Sequence, residues 1–155
     1  MKKIFAFIFI YFFCFQNVYA DNYLLKPNKN YKPVNVIKIQ LNALKNNNIP
    51  FINAGIKQTW EFAHPLNKQS TGPLPKFIKL LNNKGYKNLL NHIEHNIVEI
   101  YKSEKKFVYE VIILDKEKKY YKYQWIVEKF LNEGNLYNCW LTTSVSSASP
   151  LGDSV

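Results

Sequence analysis

The 155 residues are 47 % hydrophobic, 16 % aromatic and 21 % charged, proportions that suit one folded domain and exclude a mainly disordered chain. The formal net charge is +10, and all 21 basic residues are lysine. Without the planar arginine fork, this basic character does not fit a sequence-specific nucleic-acid reader, and the scattered lysines among many asparagines read as a solvated surface with a weak pull toward anionic surfaces.

Met1 to Ala20 reads as a cleavable signal peptide. Lys2 and Lys3 open it, Ile4 to Phe15 form an apolar run, and Val18-Tyr19-Ala20 sets small residues before a cut between Ala20 and Asp21. The run is short for a bilayer span, which takes about 20 residues, and no later segment is apolar enough for one, so no membrane span is expected after cleavage. The leader takes two lysines and no acid with it, leaving +8. Cys14 leaves too, so Cys139 has no intramolecular partner and reads as a buried, inert thiol. The expected location is the secretory pathway, ending outside the cell, in a vacuole or in a secondary plastid.

Residues 21–34 read as a flexible basic arm or a short transit-like segment, residues 35–145 as the domain, and residues 146–155 as a disordered tail. Within the domain, Ile37, Leu41 and Leu44 share one helical face, with Asn35 placed to cap it. Pro50 is expected in the first turn of a second helix whose stripe is Ile52, Ile56, Thr59 and Ala63; His64-Pro65 stops it. Residues 67–72 read as a polar loop. Leu74, Phe77, Ile78 and Leu81 mark a third helix, and Gly85 breaks the chain after it. The second half reads as strands: 86–90, 93–101, 107–114, 120–130 and 136–145, with turns at 115–118 and 132–135. Three helices followed by antiparallel strands make an α+β domain, and a strongly curved, mostly antiparallel sheet would leave a cavity beneath the helices.

Several segments carry a resemblance. Ile39 to Asn47, Gly55-Ile56, Trp60 to Ala63, Thr71 to Leu74, Phe77, Tyr86 to Leu90 and Cys139 to Thr142 resemble a poorly characterised plant and algal branch of the nuclear-transport-factor-2-like superfamily. The resemblance runs from about residue 34 to residue 145 and implies that superfamily's cone, three N-terminal helices on a curved sheet. It implies no reaction, because the fold hosts enzymes, adaptors and binding modules alike.

The chemistry-bearing residues are few. On a strand, His92 and His95 would point to opposite faces, which argues against a shared metal. Neither a Gly-rich phosphate loop, a Cys/His cluster nor an acidic calcium loop occurs, so no cofactor and no metal is indicated. His64, His95 and Glu99 are the weak catalytic candidates. Trp60, His64, Tyr86, Tyr123, Trp125 and Trp140 are candidates for lining an aromatic pocket, with core packing the simpler role for Trp125 and Trp140. The favoured reading is a non-catalytic module that takes a small apolar ligand or a protein partner. The alternative is a small dehydratase or isomerase with a histidine base. A third reading is a homodimer joined through the outer sheet face.

Overall fold

The computed structural model describes residues 23–153; the expected leader and cleavage site lie outside them. The helices are α1 (Pro33–Lys45), α2 (Ala54–Glu61), α3 (Pro65–Thr71) and α4 (Leu74–Leu81). The strands are β1 (Glu94–Lys102), β2 (Lys106–Leu114), β3 (Lys119–Lys129), β4 (Trp140–Val145) and β5 (Ser149–Asp153). The fold is α+β: helices packed on an open, five-stranded antiparallel sheet of order β1-β2-β3-β4, with β5 also on β3.

The expected stripe of α1 holds. Ile37, Leu41 and Leu44 are buried together with Val36 and Gln40. Asn35 serves the start of the helix from its third position, its side chain accepting the Lys32 N–H at 3.1 Å. The second helix starts later than expected. Pro50, with its Ile49–Pro50 peptide cis, sits in a loop that the asparagines organise. Asn48 Oδ1 accepts the Asn53 N–H at 3.1 Å, and Asn47 Oδ1 accepts the Ile56 N–H at 3.0 Å. Asparagine side chains offer the backbone these alternatives to helix, so α2 begins only at Ala54, and Ile52, expected in the buried stripe, is 77 % exposed. Gly55 lets α1 and α2 touch, since a Cβ there would stand 2.1 Å from the Ala43 carbonyl oxygen.

α2 ends at Glu61, before the expected stop at His64-Pro65 and short of Ala63, which bridges to Thr142 instead; His64-Pro65 starts α3 where a loop was expected. Pro65 takes the first helical position and His64 Nδ1 accepts the Leu66 N–H at 3.1 Å. The helix escapes a periodicity reading because it buries no residue. Tyr86–Leu90 is likewise not a strand; Lys87–Leu89 form a 3-10 turn that buries Leu89.

The sheet alternates. Tyr109, Val111 and Ile113 of β2 lie opposite Trp125, Tyr123 and Tyr121 of β3, and this face meets α1, α2 and α4 in one core. Asp115 sets the β2–β3 turn, its Oδ1 accepting the N–H groups of Glu117 and Lys119 at 2.9 and 3.0 Å. The 132–135 turn belongs to a longer loop closed by Phe130 N–H to Cys139 O and Asn138 N–H to Phe130 O, so β4 starts at Trp140 instead of residue 136. Residues 149–153 are not a loose tail. They pair with Lys119–Lys122 of β3, next to the Trp125–Lys129 stretch that β4 pairs. Their Ser, Pro and Gly content hides a strand whose stability comes from its backbone ladder.

Leu25 and Lys26 of the expected flexible arm are also docked. Leu25 exchanges two hydrogen bonds with the Gln58 amide, at 2.8 and 2.9 Å. Lys26 pairs with Glu61 at 2.9 Å, and Pro33 and Val34 already belong to α1.

Candidate functional site

The end of α2 is stitched to β4: His64 N–H donates to Thr142 O at 2.8 Å, and Thr142 N–H to Phe62 O at 2.9 Å. This joint holds α1, α3 and α4 above the inner sheet face and leaves a cavity of about 60 Å³. Its lining is mainly apolar, with Leu44, Ala63, Phe77, Leu80 and Val145 among the walls. Ligand pockets commonly run from roughly 300 to 1,000 Å³, so the cavity in this form admits only a very small guest.

One wall is polar. Thr142 Oγ1 donates to Gln40 Oε1 at 2.6 Å, Trp125 Nε1 donates to both at 3.1 and 3.2 Å, and Gln40 Nε2 donates to Thr59 O at 3.1 Å. Gln40, Trp125 and Thr142 are all buried. The Trp125 N–H, the Thr142 hydroxyl and the Gln40 carbonyl are thus matched to one another, as buried polar groups must be. A guest therefore meets a wall whose hydrogen-bonding is largely spent, which selects for apolar surface.

The sequence candidates divide. Trp125 and Tyr86 line the cavity, and the Tyr86 hydroxyl donates to Val145 O at 3.2 Å. Trp125 is 1 % exposed, so the core role expected of it and a place in the cavity wall coincide. Trp60 packs on Phe77 at 4.9 Å and carries the Lys68 ammonium 5.5 Å above its ring, outside the lining. Trp140 stands edge-on to Phe107 at 5.1 Å, under Lys129, also outside. Tyr123 is fully buried in the core, and its hydroxyl has no hydrogen-bond partner among the described residues; burial raises its pKa above the usual phenol value.

His64 stands outside the lining too, with its ring 5.4 Å from that of Phe130. Because Nδ1 accepts the Leu66 N–H, that nitrogen carries no proton in the folded state. Protonation would break the cap, and burial pulls the pKa down in the same direction, against the opposing pull of Glu128.

His92 and His95 come together, contrary to the opposite-face expectation. His92 precedes β1 and is not part of the strand, so strand alternation does not apply to it. Its Nε2 lies 2.7 Å from His95 Nδ1, and its Nδ1 lies 2.8 Å from Leu89 O. A carbonyl only accepts, so His92 Nδ1 bears a proton; with both rings neutral, the state their lowered pKa values favour, His95 Nδ1–H donates to His92 Nε2. Burial, first of several causes, brings His92 down to about 4; burial and then Lys45 lower His95. Among the described residues no group of three or more His, Cys, Asp or Glu side chains could hold a metal ion. Glu99 is exposed on β1, opposite Tyr109 of β2; burial and then that carboxylate push Tyr109 up to about 12. Cys139 is buried, and burial raises its pKa.

Neither His64, His95 nor Glu99 lines the cavity. The residues that do, and that the sequence reading missed, are the polar ones: Gln40, Thr59, Asn67, Thr71 and Thr142. Gln40 had left a trace, as a polar residue inside the Ile37–Leu41–Leu44 face; Asn67 and Thr71 had none, because their helix was not visible. Compared with known protein families, curated proteins and solved structures, the chain matches none.

Proposed function

We propose that this chain is a non-catalytic binding module whose cavity takes a small apolar ligand. The observation that supports this is an apolar hollow backed by the Gln40–Thr142–Trp125 node. An acid–base enzyme would need a titrating group aimed into that hollow, and His64 instead caps α3. The volume sets a condition: a ligand larger than a few atoms enters only if a wall yields. The wall best suited to yield is α3, which buries none of its residues yet supplies Asn67 and Thr71. In this reading the domain is a nuclear-transport-factor-2-like cone in which α3 is an added cover over three principal helices. A leader removed after Ala20 delivers it to the secretory pathway, with a secondary plastid or the exterior as its destination.

The test is a methyl-detected NMR titration with indole. Saturable shifts at Leu44, Leu80 and Val145, abolished by Ala63→Phe, are expected. Unmoved methyls at millimolar indole would exclude a yielding wall, and shifts that survive Ala63→Phe would reject the cavity as the site.

A further inference from the structure

Charge is divided between the two halves of the molecule. Residues 23–93 hold eleven lysines and one acid, Glu61; residues 94–153 hold eight lysines and nine acids. From Tyr23 to Trp60 there are six lysines and no acid at all. The single acid of the helical layer is already paired with Lys26 at 2.9 Å.

The segment at Tyr23 and the loop before α2 expose apolar side chains. Ile49 is 71 % and Ile52 77 % exposed, and Tyr23 is 73 % exposed. Tyr23 and Ile49 are neighbours: a groove brings Tyr23 and Leu24 to Ile49, Pro50 and Phe51, and Ile52 follows Phe51 in the same loop. Lysines flank this loop in the chain: Lys45 ends α1 before it. The Lys57 ammonium lies 4.8 Å from the Phe51 ring centroid, its aliphatic stem beside apolar surface and its charge at the edge.

From this we infer that the Tyr23–Leu25 and Ile49–Ile52 tip docks on an anionic lipid surface, independently of the cavity. Apolar side chains seated at the headgroup boundary, with lysines held against anionic lipid, are the two terms of peripheral membrane binding. No helix among the described residues is long and apolar enough to cross a membrane, so the contact is peripheral. Nucleic acid fits less well. It would use the lysines, but it gains nothing from two exposed isoleucines, and its stacking platforms are aromatic.

The test uses the mature protein, its N-terminus established by mass spectrometry, and phosphatidylcholine vesicles with and without phosphatidylserine. An environment-sensitive fluorophore is placed by Ile52→Cys or, on the sheet side, by Glu117→Cys; Cys139 is buried and does not compete. Sedimentation with the anionic vesicles is expected, together with quenching by brominated lipid at position 52 and none at 117. The depth label separates this contact from any tethering by Met1–Ala20. Ile49→Ser with Ile52→Ser should lower partitioning at least about tenfold. Lys45→Gln and Lys57→Gln should lower it about fivefold each, an effect that salt should mimic. Absence of binding, or binding with position 52 unquenched, would overturn the inference. Single-stranded RNA bound more tightly than vesicles, and indifferent to the isoleucine changes, would overturn it in favour of a nucleic-acid surface.

Discussion

Replacing Gln40 by Leu should destabilise the domain by about 2–3 kcal/mol. The Gln40 side chain accepts from Thr142 Oγ1 at 2.6 Å and Trp125 Nε1 at 3.2 Å, and donates to Thr59 O at 3.1 Å. A net hydrogen bond is worth about 1 kcal/mol, and a buried partner left unmatched costs about 1–3 kcal/mol. Thr59 O loses the amide, while Trp125 and Thr142 keep each other at 3.1 Å, which limits the loss. Thr142→Val removes two of the same bonds but leaves Trp125 Nε1 on Gln40 Oε1, so it should cost only about 1 kcal/mol. Urea unfolding followed by far-UV circular dichroism gives both values, provided the slope is unchanged between variants. The double variant should cost less than the two singles together, because removing both partners strands fewer groups. A Gln40→Leu cost below about 0.5 kcal/mol, or a Thr142→Val cost exceeding it, would refute the network as drawn.

Tyr123→Phe should leave stability unchanged or raise it by about 1 kcal/mol, because its buried hydroxyl has no partner among the described residues; a large loss in thermal unfolding would reveal one. Gly55→Ala should cost about 1–3 kcal/mol in the same assay, since the new methyl would meet the Ala43 carbonyl at 2.1 Å; an unshifted midpoint would mean that α1 and α2 separate freely. The histidines predict a pH dependence. His92 is held down to about 4 when folded and titrates near 6.5 when unfolded, so the unfolded chain binds more protons between those values. Its contribution is full above the unfolded value and is lost as pH falls toward 4, at up to about 1.4 kcal/mol per pH unit. His92→Gln should flatten that slope, and an identical slope in both proteins would exclude His92 as its source. Mass spectrometry of the mature protein should find Asp21 at the N-terminus; a retained Met1 would remove the leader reading.

What the sequence made visible follows the strength of each periodic signal. The Ile37–Leu41–Leu44 stripe, the Phe77–Leu81 helix and the β2–β3 hairpin bury large side chains at regular intervals, and each stands where expected. The failures are elements held by backbone or side-chain hydrogen bonds, which leave no such trace. α3 rests on Pro65 and the His64 cap, and β5 on its ladder with β3. The Asn46–Asn53 loop replaces a first helical turn with asparagine hydrogen bonds and so turns Ile52 outward. The site suffered the same way. Trp125 and Tyr86 were named because aromatics are conspicuous, whereas the Gln40–Thr142 contact spans 102 residues of chain and depends on a tertiary joint no local pattern contains. The His92–His95 pair was misread because strand alternation was applied to His92, which precedes β1.

In the function proposed, the hollow between α1, α4 and the sheet is an apolar binding site and not a packing accident. Xenon tests it most directly, because it is small enough for a cavity of about 60 Å³ and prefers apolar surroundings. In crystals of the mature protein under xenon pressure, a strong peak should stand among Leu44, Ala63 and Phe77, and Ala63→Phe should erase it. A site that stays free of xenon, or that holds water bonded to Thr59 and Asn67 in its place, would contradict the account.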